Sequence, residues 1–253
     1  MAGTYEGGYQ DIFEVRGRRY DDAMRRWPSV RDEEFGFVLD LARPMAGEVL
    51  VDIPSGGGYL ADHVPAGVEV VAVDVADSFV ERSRGRGIEA IRGDLTGDAL
   101  APGCADLVVS VAGMHHTEDH GELLGAWHRL LKPGGRLVAA DVVEGSPEAR
   151  FLDGVVGPWT STGHAGSFFT GETAALATAA GYRDVRTVDD RYHWWADEED
   201  QLAGFCAELF GLEDVALPDV LAALEDGPGI TRGGDGRVGL RWGLRAVLGT
   251  SAG

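Results

Sequence analysis

Residues 48–60 read EVLVDIPSGGGYL, and this stretch decides the fold class. Its first half is apolar at most positions, which is typical of a strand buried on both faces of a parallel sheet. Three consecutive glycines follow, and then a helical pattern begins. Glycines at this point let bare backbone approach a ligand at the carboxyl edge of a sheet, where a Cβ would block it. Glycine clusters also form ordinary turns, so the stretch alone is a weak sign of a binding site.

The segments on either side alternate between short β-rich runs and helical patterns, which predicts an α/β fold with a mostly parallel sheet and helices on both faces. The strands predicted in the first part of the chain are Glu48–Ile53, Val68–Val73, Ile88–Ile91, Asp106–Val111 and Arg136–Asp141. The predicted helices are Asp32–Leu41, Gly121–Leu131, Gly171–Ala180, Asp197–Leu212 and Leu217–Glu225. Two further strands are predicted at Val185–Trp195 and Val238–Leu248, although the periodicity of the second also allows a helix.

The composition limits the class of partner. Among the 253 residues, 42 acids face 22 lysines and arginines, so the formal charge is -20. Such a surface repels nucleic acid over most of its area, because nucleic-acid binding depends on basic side chains that neutralise phosphates. Two cysteines, no signal sequence and no long apolar run predict a cytoplasmic protein with no membrane partner. A monomer and a homodimer both remain open.

Three carboxylates follow three neighbouring strands of the predicted sheet. Asp52 and Asp74 end the first two strands, and Asp94 follows the third in Gly93-Asp94-Leu95. They suit a ligand with a cationic group, a ribose and an exocyclic amine, because carboxylates accept hydrogen bonds from all three. The glycines also fit the dinucleotide fingerprint Gly56-x-Gly58-x-x-Ala61, so an NAD oxidoreductase stays an alternative. Three carboxylates nevertheless suit a diphosphate badly.

In the order and spacing of these motifs, residues 47–141 resemble the class I S-adenosylmethionine-dependent methyltransferase family. The segments that carry the resemblance are Val49–Gly58, Val70–Asp74, Gly93-Asp94-Leu95, Asp106–His116 and Leu131–Leu137. The resemblance implies a Rossmann-like sheet of seven strands, one of them antiparallel, and methyl transfer to O, N or C of a small-molecule metabolite. It also implies that S-adenosyl-L-methionine is the cofactor. The residues expected to bind it are Asp52, Pro54, Ser55, Gly56, Gly58, Asp74, Val75, Asp94, Leu95 and Ser110.

The resemblance further implies a helical cap or lid over residues 1–46 and a methyltransferase domain over residues 47–253. Substrate-pocket insertions are expected at about 142–170 and 197–235. Pro54 is a departure, because the family usually has the first glycine of its motif there and proline lacks an amide donor. This departure keeps open a cyclase or rearrangement catalyst that binds the cofactor without methylating. A partner-binding protein on the same scaffold is a further alternative.

The segment Met114-His115-His116-Thr117 directly follows the fourth predicted strand. Either histidine is a candidate general base, with His116 slightly favoured, because imidazole takes up a proton near neutral pH. Both side chains could instead only bond the following loop. A metal site formed by His115, His116 and His120 is not expected, since the neighbouring acids look like ordinary loop residues. His164 lies in a glycine-rich stretch and is a weaker candidate that could move with a lid.

Several aromatic side chains either line an acceptor pocket or pack in the core. Those that follow the fifth strand are Trp159, Phe168 and Phe169. A second group is His193-Trp194-Trp195, in which a core position is favoured for one of the tryptophans because adjacent strand residues face opposite ways. The N-terminal tyrosines, which either close over the site or pack as a simple arm, are Tyr5, Tyr9 and Tyr20.

Overall fold

The computed structural model describes residues 9–252, in which helices and strands alternate around one sheet. The helices are α1 (Tyr9–Arg26), α2 (Asp32–Ala42), α3 (Asp77–Gly85), α4 (His120–Leu130), α5 (Pro147–Phe151), α6 (Thr173–Ala179), α7 (Glu199–Phe210) and α8 (Leu217–Asp226). The strands are β1 (Val49–Asp52), β2 (Glu69–Asp74), β3 (Glu89–Arg92), β4 (Ala105–Val111), β5 (Leu131–Asp141), β6 (Tyr182–Ala196), β7 (Ile230–Arg232) and β8 (Val238–Ser251). No helix of this range has both the length and the apolar character needed to span a membrane.

The sheet has the strand order β3-β2-β1-β4-β5-β8-β6, and β7 pairs with β8 beside this path. The strands β1 to β5 pair in parallel, whereas β8 runs antiparallel to β5, β6 and β7. The direction in which the strand order grows reverses between β1 and β4. In sheets of this kind a crevice opens at that point, outside the carboxyl ends of the strands.

The α/β fold class with a mostly parallel sheet is confirmed, but the number of strands differs from the expectation. The described residues form eight strands, not seven, because Ile230–Arg232 adds a short hairpin strand to β8. The turn between them is closed by a hydrogen bond from the Gly233 amide to the Arg237 carbonyl of 2.8 Å. A three-residue strand is too short to show a hydrophobic period, which is why the sequence did not reveal it. The segment Val238–Leu248 is a strand, as predicted.

Three local differences concern the segments around the crevice. The glycines after β1 lead into a short 3₁₀ helix, Tyr59–His63, rather than a full helix. No helix or strand was predicted between Asp141 and Gly171, but this segment contains α5, which continues as a π-helical turn over Leu152–Val156. Strand β5 begins at Leu131, directly after α4, and not at Arg136 as predicted. The segment Pro133-Gly134-Gly135 therefore lies within the strand rather than before it.

The central strands are buried on both faces, and this explains their apolar sequences. Leu50 and Leu107 belong to one core, which α2 and α7 cover. Val51 and Val108 belong to a second core on the opposite face, which α4 and α6 cover. A slip of one residue would exchange the two faces of a strand, so burial on both sides fixes the register. The register in turn fixes which residues reach the crevice at the strand ends.

Pro54 packs the glycine turn against the end of β4. The Ser55 amide donates to the Val73 carbonyl (3.0 Å), which ties the turn to β2. A Cβ built on Gly113 would lie 2.3 Å from Cγ of Pro54 and 2.6 Å from its Cδ. Gly113 is therefore needed to let the proline ring reach the chain that follows β4. Pro54, which departs from the family motif, is thus matched by Gly113, which leaves room for the proline ring.

We predict that Gly113→Ala lowers the free energy of unfolding by about 1–3 kcal/mol, because the added Cβ overlaps the Pro54 ring. The same substitution in a Pro54→Gly background should cost clearly less, since the overlapping ring is gone. Urea denaturation of the two single variants and the double variant measures this coupling.

Gly125→Ala in α4 is the matched control, because a Cβ there meets nothing within 4 Å. It should leave stability unchanged or raise it slightly. Equal costs for Gly113→Ala in both backgrounds would contradict the contact with Pro54.

Candidate active site

Asp74 stands at the carboxyl end of β2 and is the best-connected group at the crevice. Its carboxylate accepts hydrogen bonds from the Gly56 amide (2.9 Å), the Ala76 amide (3.0 Å) and the Tyr9 hydroxyl (3.2 Å). Burial raises the pKa of Asp74 to about 6, although these three bonds oppose the rise. The side chain is therefore ionised, and a strong acceptor, above about pH 6.

Asp52 ends β1 and is 2% exposed, and its Oδ2 has no hydrogen-bond partner within residues 9–252. Burial and the neighbouring Asp74 raise the pKa of Asp52 well above its usual range, while Arg31 lowers it. A buried carboxyl oxygen without a partner is costly unless a ligand donor or cation meets it. Ser55 after β1 and Ser110 on β4 each carry a buried hydroxyl that also lacks a partner in the described chain.

Two cavities meet at this crevice. The inner cavity is lined by Asp52, Pro54, Ser55, Gly56 and side chains of α1, β6, α7 and β8. The outer cavity is lined by Tyr9, Gln10, Val75, Arg92, Gly93, Asp94, Leu95, Asp98, His116 and Thr117. Tyr9 and His116 line both cavities and thus form the partition between them. Since the Tyr9 hydroxyl donates to Asp74, this partition is hydrogen-bonded to the carboxylate at the end of β2.

The residues predicted to bind the cofactor fall into three groups. Asp52, Pro54, Ser55 and Gly56 line the inner cavity, and Val75, Asp94 and Leu95 line the outer one. Asp74 lines neither cavity, but it bonds to Gly56 of the inner cavity and to Tyr9, which lines both. Gly58 and Ser110 line neither cavity.

Gly58 and Asp94 have roles that the sequence motif did not indicate. Gly58 is needed for packing, because a Cβ there would lie 2.8 Å from Cδ1 of Ile88 and 2.9 Å from Oγ of Ser83. Asp94 is exposed and accepts from the Thr96 amide at 2.9 Å. The three acids therefore lie along one crevice, but the Tyr9 ring separates its two halves.

A buried ion pair from α2 forms the wall of the inner cavity beside the glycine turn. Glu34 is 0% exposed and accepts from Arg31 Nε (3.0 Å), the Tyr192 hydroxyl (3.0 Å) and Trp194 Nε1 (3.0 Å). Arg31 also donates to the Tyr20 hydroxyl at 2.6 Å. This hydroxyl would lie 3.2 Å from a Cβ on Gly56. The network joins the N-terminal helices to β6 and to the glycine turn.

Two histidines at the inner cavity are each held by a carboxylate. His115 Nδ1 lies 2.7 Å from Asp141 Oδ1, and the His115 amide donates to Asp141 Oδ2 at 3.0 Å. His164 Nδ1 lies 2.8 Å from Asp153 Oδ1. A carboxylate on Nδ1 favours the tautomer with a proton there, so Nε2 of each neutral ring is free to accept a proton.

The surroundings of His116 and His164 favour their neutral rings. Burial would by itself raise the pKa of Asp141, but His115 and two backbone amides lower it below its usual value. Burial lowers the pKa of His164, which the bond to Asp153 opposes. The pKa of His116 is lowered well below its usual value by burial and by the positive charges of His115, His164 and Arg16. His116 has no carboxylate partner within the described residues, so His115 is the better placed base.

His164 joins this cluster, although the sequence made it only a weaker candidate, and His120 does not. Ring nitrogens of His115, His116 and His164 lie within 4.8 Å of one another, a spacing at which they could hold a metal ion. Arg16 lines the same cavity and adds a positive charge that disfavours one. His120 packs instead against Phe169, with ring centroids 5.4 Å apart. The sequence feature that made His164 a candidate is its glycine-rich loop. This loop packs against the segment after β4, where the Ser167 amide donates to the His115 carbonyl at 2.9 Å.

The aromatic lining of the inner cavity differs from the one considered from sequence. Trp159, Phe168, Phe169 and Trp195 do not line it, and Tyr5 lies outside the described residues. Trp194 lines the cavity and is also buried, so the lining and core roles coincide there. The aromatic lining residues are Tyr9, Phe13, Tyr20, Phe35, Tyr59, Trp194, Phe210 and Trp242. Phe210 and Trp242 were not identified from sequence, because the pairing of β8 with β6 places Trp242 and the packing of α7 places Phe210 against it.

The strand order, the glycine turn and the strand-end acids define the class I methyltransferase fold, and comparisons with known proteins agree. Residues 51–139 match the family model described as "Methyltransferase domain". A ubiquinone biosynthesis O-methyltransferase of Ruegeria pomeroyi is 34% identical over 116 residues, which cover 43% of this chain and 47% of that protein. The chain's match thus spans about half the length of such curated relatives.

Two solved structures show the same fold over a larger share of the chain. The YcgJ protein of Bacillus subtilis superposes with a TM-score of 0.62 at 16% identity, covering 88% of this chain and 99% of that one. The [4+2]-cyclase SpnF superposes with a TM-score of 0.56 at 17% identity, covering 87% and 80%. The resemblance seen in the motifs is confirmed to this extent: residues 51–139 match the model of a methyltransferase domain, and the sheet has the fold of these solved structures.

We predict that Tyr9→Phe binds S-adenosylhomocysteine about fivefold more tightly than the native chain. If Asp74 binds the ribose, as the motif predicts, the ligand replaces the Tyr9 hydroxyl there, and losing a typical hydrogen bond costs about 1 kcal/mol. Isothermal titration calorimetry at pH 8 measures the two affinities.

Tyr182→Phe is the control, since that buried hydroxyl has no partner in the described chain and lines neither cavity. Its affinity should equal that of the native chain. Weaker binding by Tyr9→Phe would show that the hydroxyl contacts the ligand instead of competing with it.

Proposed function

We propose that this chain transfers the methyl group of S-adenosyl-L-methionine to a small-molecule acceptor. The observation that carries the proposal is that Asp74 bonds to Gly56 of the inner cavity and to Tyr9, which lines both cavities, with the unpartnered Asp52 in the inner cavity and Asp94 in the outer one. This spacing of acids fits a ligand that has a cationic end, a ribose and an adenine. The name of the Ruegeria relative supports an oxygen atom as the acceptor site.

The residues on hand fit the cofactor at each of its three parts. Asp52 would bind the ammonium group, Asp74 the two ribose hydroxyls, and Asp94 with the Leu95 amide the adenine. Ser55 and Gly56 would lie along the amino-acid end, where their backbone is close to the inner cavity. When bound, the cofactor supplies an electrophilic methyl group, so the protein mainly has to orient the nucleophile.

Proton removal from the acceptor falls to His115 in this proposal, with His116 beside it. Asp141 fixes the tautomer of His115 with the proton on Nδ1, so that Nε2 of the neutral ring is the proton acceptor, as in histidine–carboxylate pairs of other enzymes. The centroids of the His115 and His116 rings are 4.1 Å apart, so a charge gained by one raises the cost of charging the other. His116 then serves as a neutral wall that positions the acceptor.

Residues 1–46 act in this proposal as a cap over the site. Helix α1 packs against α7 and α3, and its first residue, Tyr9, reaches Asp74. Opening of the Tyr9 end of α1 would join the two cavities into one groove, and its return would shield the bound groups from water. Shielding matters because electrostatic interactions in a closed site are stronger than in water.

We predict that the affinity for S-adenosylhomocysteine falls about tenfold per pH unit below pH 6. The pKa of Asp74 in the free chain is about 6, and the ligand binds the ionised carboxylate. Above pH 6 the carboxylate is already charged, so affinity should be constant up to about pH 8. Calorimetric titrations between pH 5 and pH 8 test this profile.

Asp74→Asn should bind at least tenfold more weakly at pH 8 and lose the dependence below pH 6. The matched control is Asp77→Asn, since Asp77 is exposed on α3 and lines neither cavity. No calorimetric binding of S-adenosylhomocysteine to the native chain at pH 8 would refute the proposed function.

We also predict that Asp141→Asn changes the tautomer of His115. In the native chain a long-range ¹H–¹⁵N NMR spectrum should show His115 protonated at Nδ1 and free at Nε2, because Asp141 accepts from Nδ1. The asparagine variant should show a mixture of the two forms, and methyl transfer to any acceptor should fall at least 100-fold.

Glu144→Gln is the control for this experiment, since Glu144 follows β5 but does not line either cavity. A native His115 with the proton on Nε2, or unchanged methyl transfer by Asp141→Asn, would remove the base role from this pair.

The second candidate is a rearrangement catalyst that keeps the cofactor pocket without methylating. Its support is Pro54 in the glycine motif and the fold likeness to a [4+2]-cyclase. Formation of S-adenosylhomocysteine in step with acceptor conversion separates the two functions. Methyl transfer produces one molecule of S-adenosylhomocysteine per turnover, and a rearrangement produces none.

A further inference from the structure

Arg16 is a buried cation for which the fold provides no counter-ion contact. It lies on α1, is 6% exposed, and lines the inner cavity. Neither Nε nor Nη1 has a hydrogen-bond partner within residues 9–252. Burial lowers its pKa to about 10, so the guanidinium still carries its charge at neutral pH. An unpaired buried charge is strongly unfavourable, which indicates that a ligand anion completes this position.

The second buried arginine of the cavity shows what the fold does when a charge is structural. Arg31 has Glu34 as a partner and donates to Tyr20 as well. Glu213 is the acid whose charge acts on Arg16, but its carboxylate accepts from the Ser161 hydroxyl at 2.7 Å instead. The chain therefore neutralises one buried guanidinium by direct contact and leaves the other open to the cavity.

The surroundings of Arg16 indicate the shape and polarity of the missing anion. Arg16 lies against the end of α7, where a Cβ on Gly211 would be 2.8 Å from its Nε. Trp242 lines the same cavity, and its buried indole N–H also lacks an acceptor in the described part of the chain. The same lining includes the apolar side chains of Leu152 and Phe210, and the ring centroids of Phe210 and Trp242 are 5.8 Å apart. Two donors without acceptors in an apolar wall suit a carboxylate attached to an apolar body.

The position of Arg16 separates this anion from the carboxylate of the cofactor. Arg31 donates to the Tyr20 hydroxyl, which lies beside the glycine turn, and its charge lowers the pKa of Asp52. The charge of Arg16 acts on His116 and His164, on the histidine side of the cavity. The amino-acid end of the cofactor belongs with the glycine turn. An anion at Arg16 therefore belongs to the other reactant.

We propose that the methyl acceptor is a carboxylic acid with an apolar or aromatic body, and that Arg16 binds its carboxylate with help from the Trp242 indole. This inference rests on the proposed function, since it assigns the inner cavity to the acceptor. The bidentate fork of Arg16 holds the carboxylate beside the end of α7 and directs the rest of the molecule toward His115. The acceptor carboxylate supplies the negative counter-charge that the Arg16 guanidinium lacks.

The test compares a matched pair of probes, 3-phenylpropionate and 3-phenylpropanol, which differ in charge but share their apolar body. Binding to the full chain at pH 7.5 is followed by tryptophan fluorescence, with and without saturating S-adenosylhomocysteine. The native chain should prefer the acid at least tenfold. Arg16→Gln should abolish the preference, and Arg16→Lys should keep part of it because the charge remains.

Arg18→Gln is the control, because Arg18 is exposed on the same helix, and it should keep the full preference. Thermal unfolding of Arg16→Met without ligand adds an independent readout. Its midpoint should equal or exceed that of the native chain, since an unpaired buried charge has been removed. A clear fall would show that the fold itself compensates Arg16 and would overturn the proposal.

Two other results would also overturn it. One is an equal affinity of the native chain for the acid and the alcohol, or a preference that survives in Arg16→Gln. The other is a tenfold loss of S-adenosylhomocysteine affinity in Arg16→Gln, which would assign Arg16 to the cofactor's own carboxylate. If S-adenosylhomocysteine fails to bind the native chain, the proposed function fails, while the acid preference measured without it still decides the anion site.

Discussion

The buried carboxylate of Asp74 holds together the part of the structure on which function depends. It ends β2 and, through the Gly56 amide, fixes the glycine turn that follows β1. It also holds the beginning of α1 through the Tyr9 hydroxyl. One acid thus joins the sheet edge, the turn and the N-terminal helix. Because burial raises its pKa to about 6, its hydrogen bonds are strongest only above that pH.

The other buried charges at the crevice divide it into regions of different polarity. Asp52 offers an unpartnered acceptor beside the glycine turn, and the Arg31–Glu34 pair closes that end. Arg16 offers unpartnered donors to the same cavity, where its charge acts on His116 and His164. A cavity that offers an unpartnered acceptor at Asp52 and a buried cation at Arg16 selects ligands by polarity as well as by shape. A protein with a net charge of -20 therefore has a local site suited to an anion.

The features that depend on local sequence could be predicted. Strands such as β1 and β4 are apolar along their length because both of their faces are buried, and the acids that end the first two strands follow from that register. Strand β7 could not be predicted, since three residues show no period. The sequence makes His164 only a weaker candidate, because the approach of its loop to the chain after β4 is a tertiary contact that residue spacing does not encode.

The charge and aromatic lining of the site were the least predictable features. Arg16 and Trp242 lie more than 200 residues apart in the chain and reach one cavity only through the packing of α1 on α7 and the pairing of β8. Tyr9 was considered as part of a cap, but its bond to Asp74 requires the three-dimensional structure. Pro54 could be recognised as a departure, yet its partner Gly113 lies on another strand end and becomes visible only in the fold.

The account holds that one adenosyl group spans both cavities across Asp74 after Tyr9 has moved aside. A crystal structure of the chain with S-adenosylhomocysteine tests this most directly. The account predicts ribose hydroxyls on the Asp74 carboxylate, the ammonium group at Asp52, the adenine beside Asp94, and the Tyr9 hydroxyl displaced from Asp74. A ligand bound elsewhere, while Tyr9 still donates to Asp74, would contradict it.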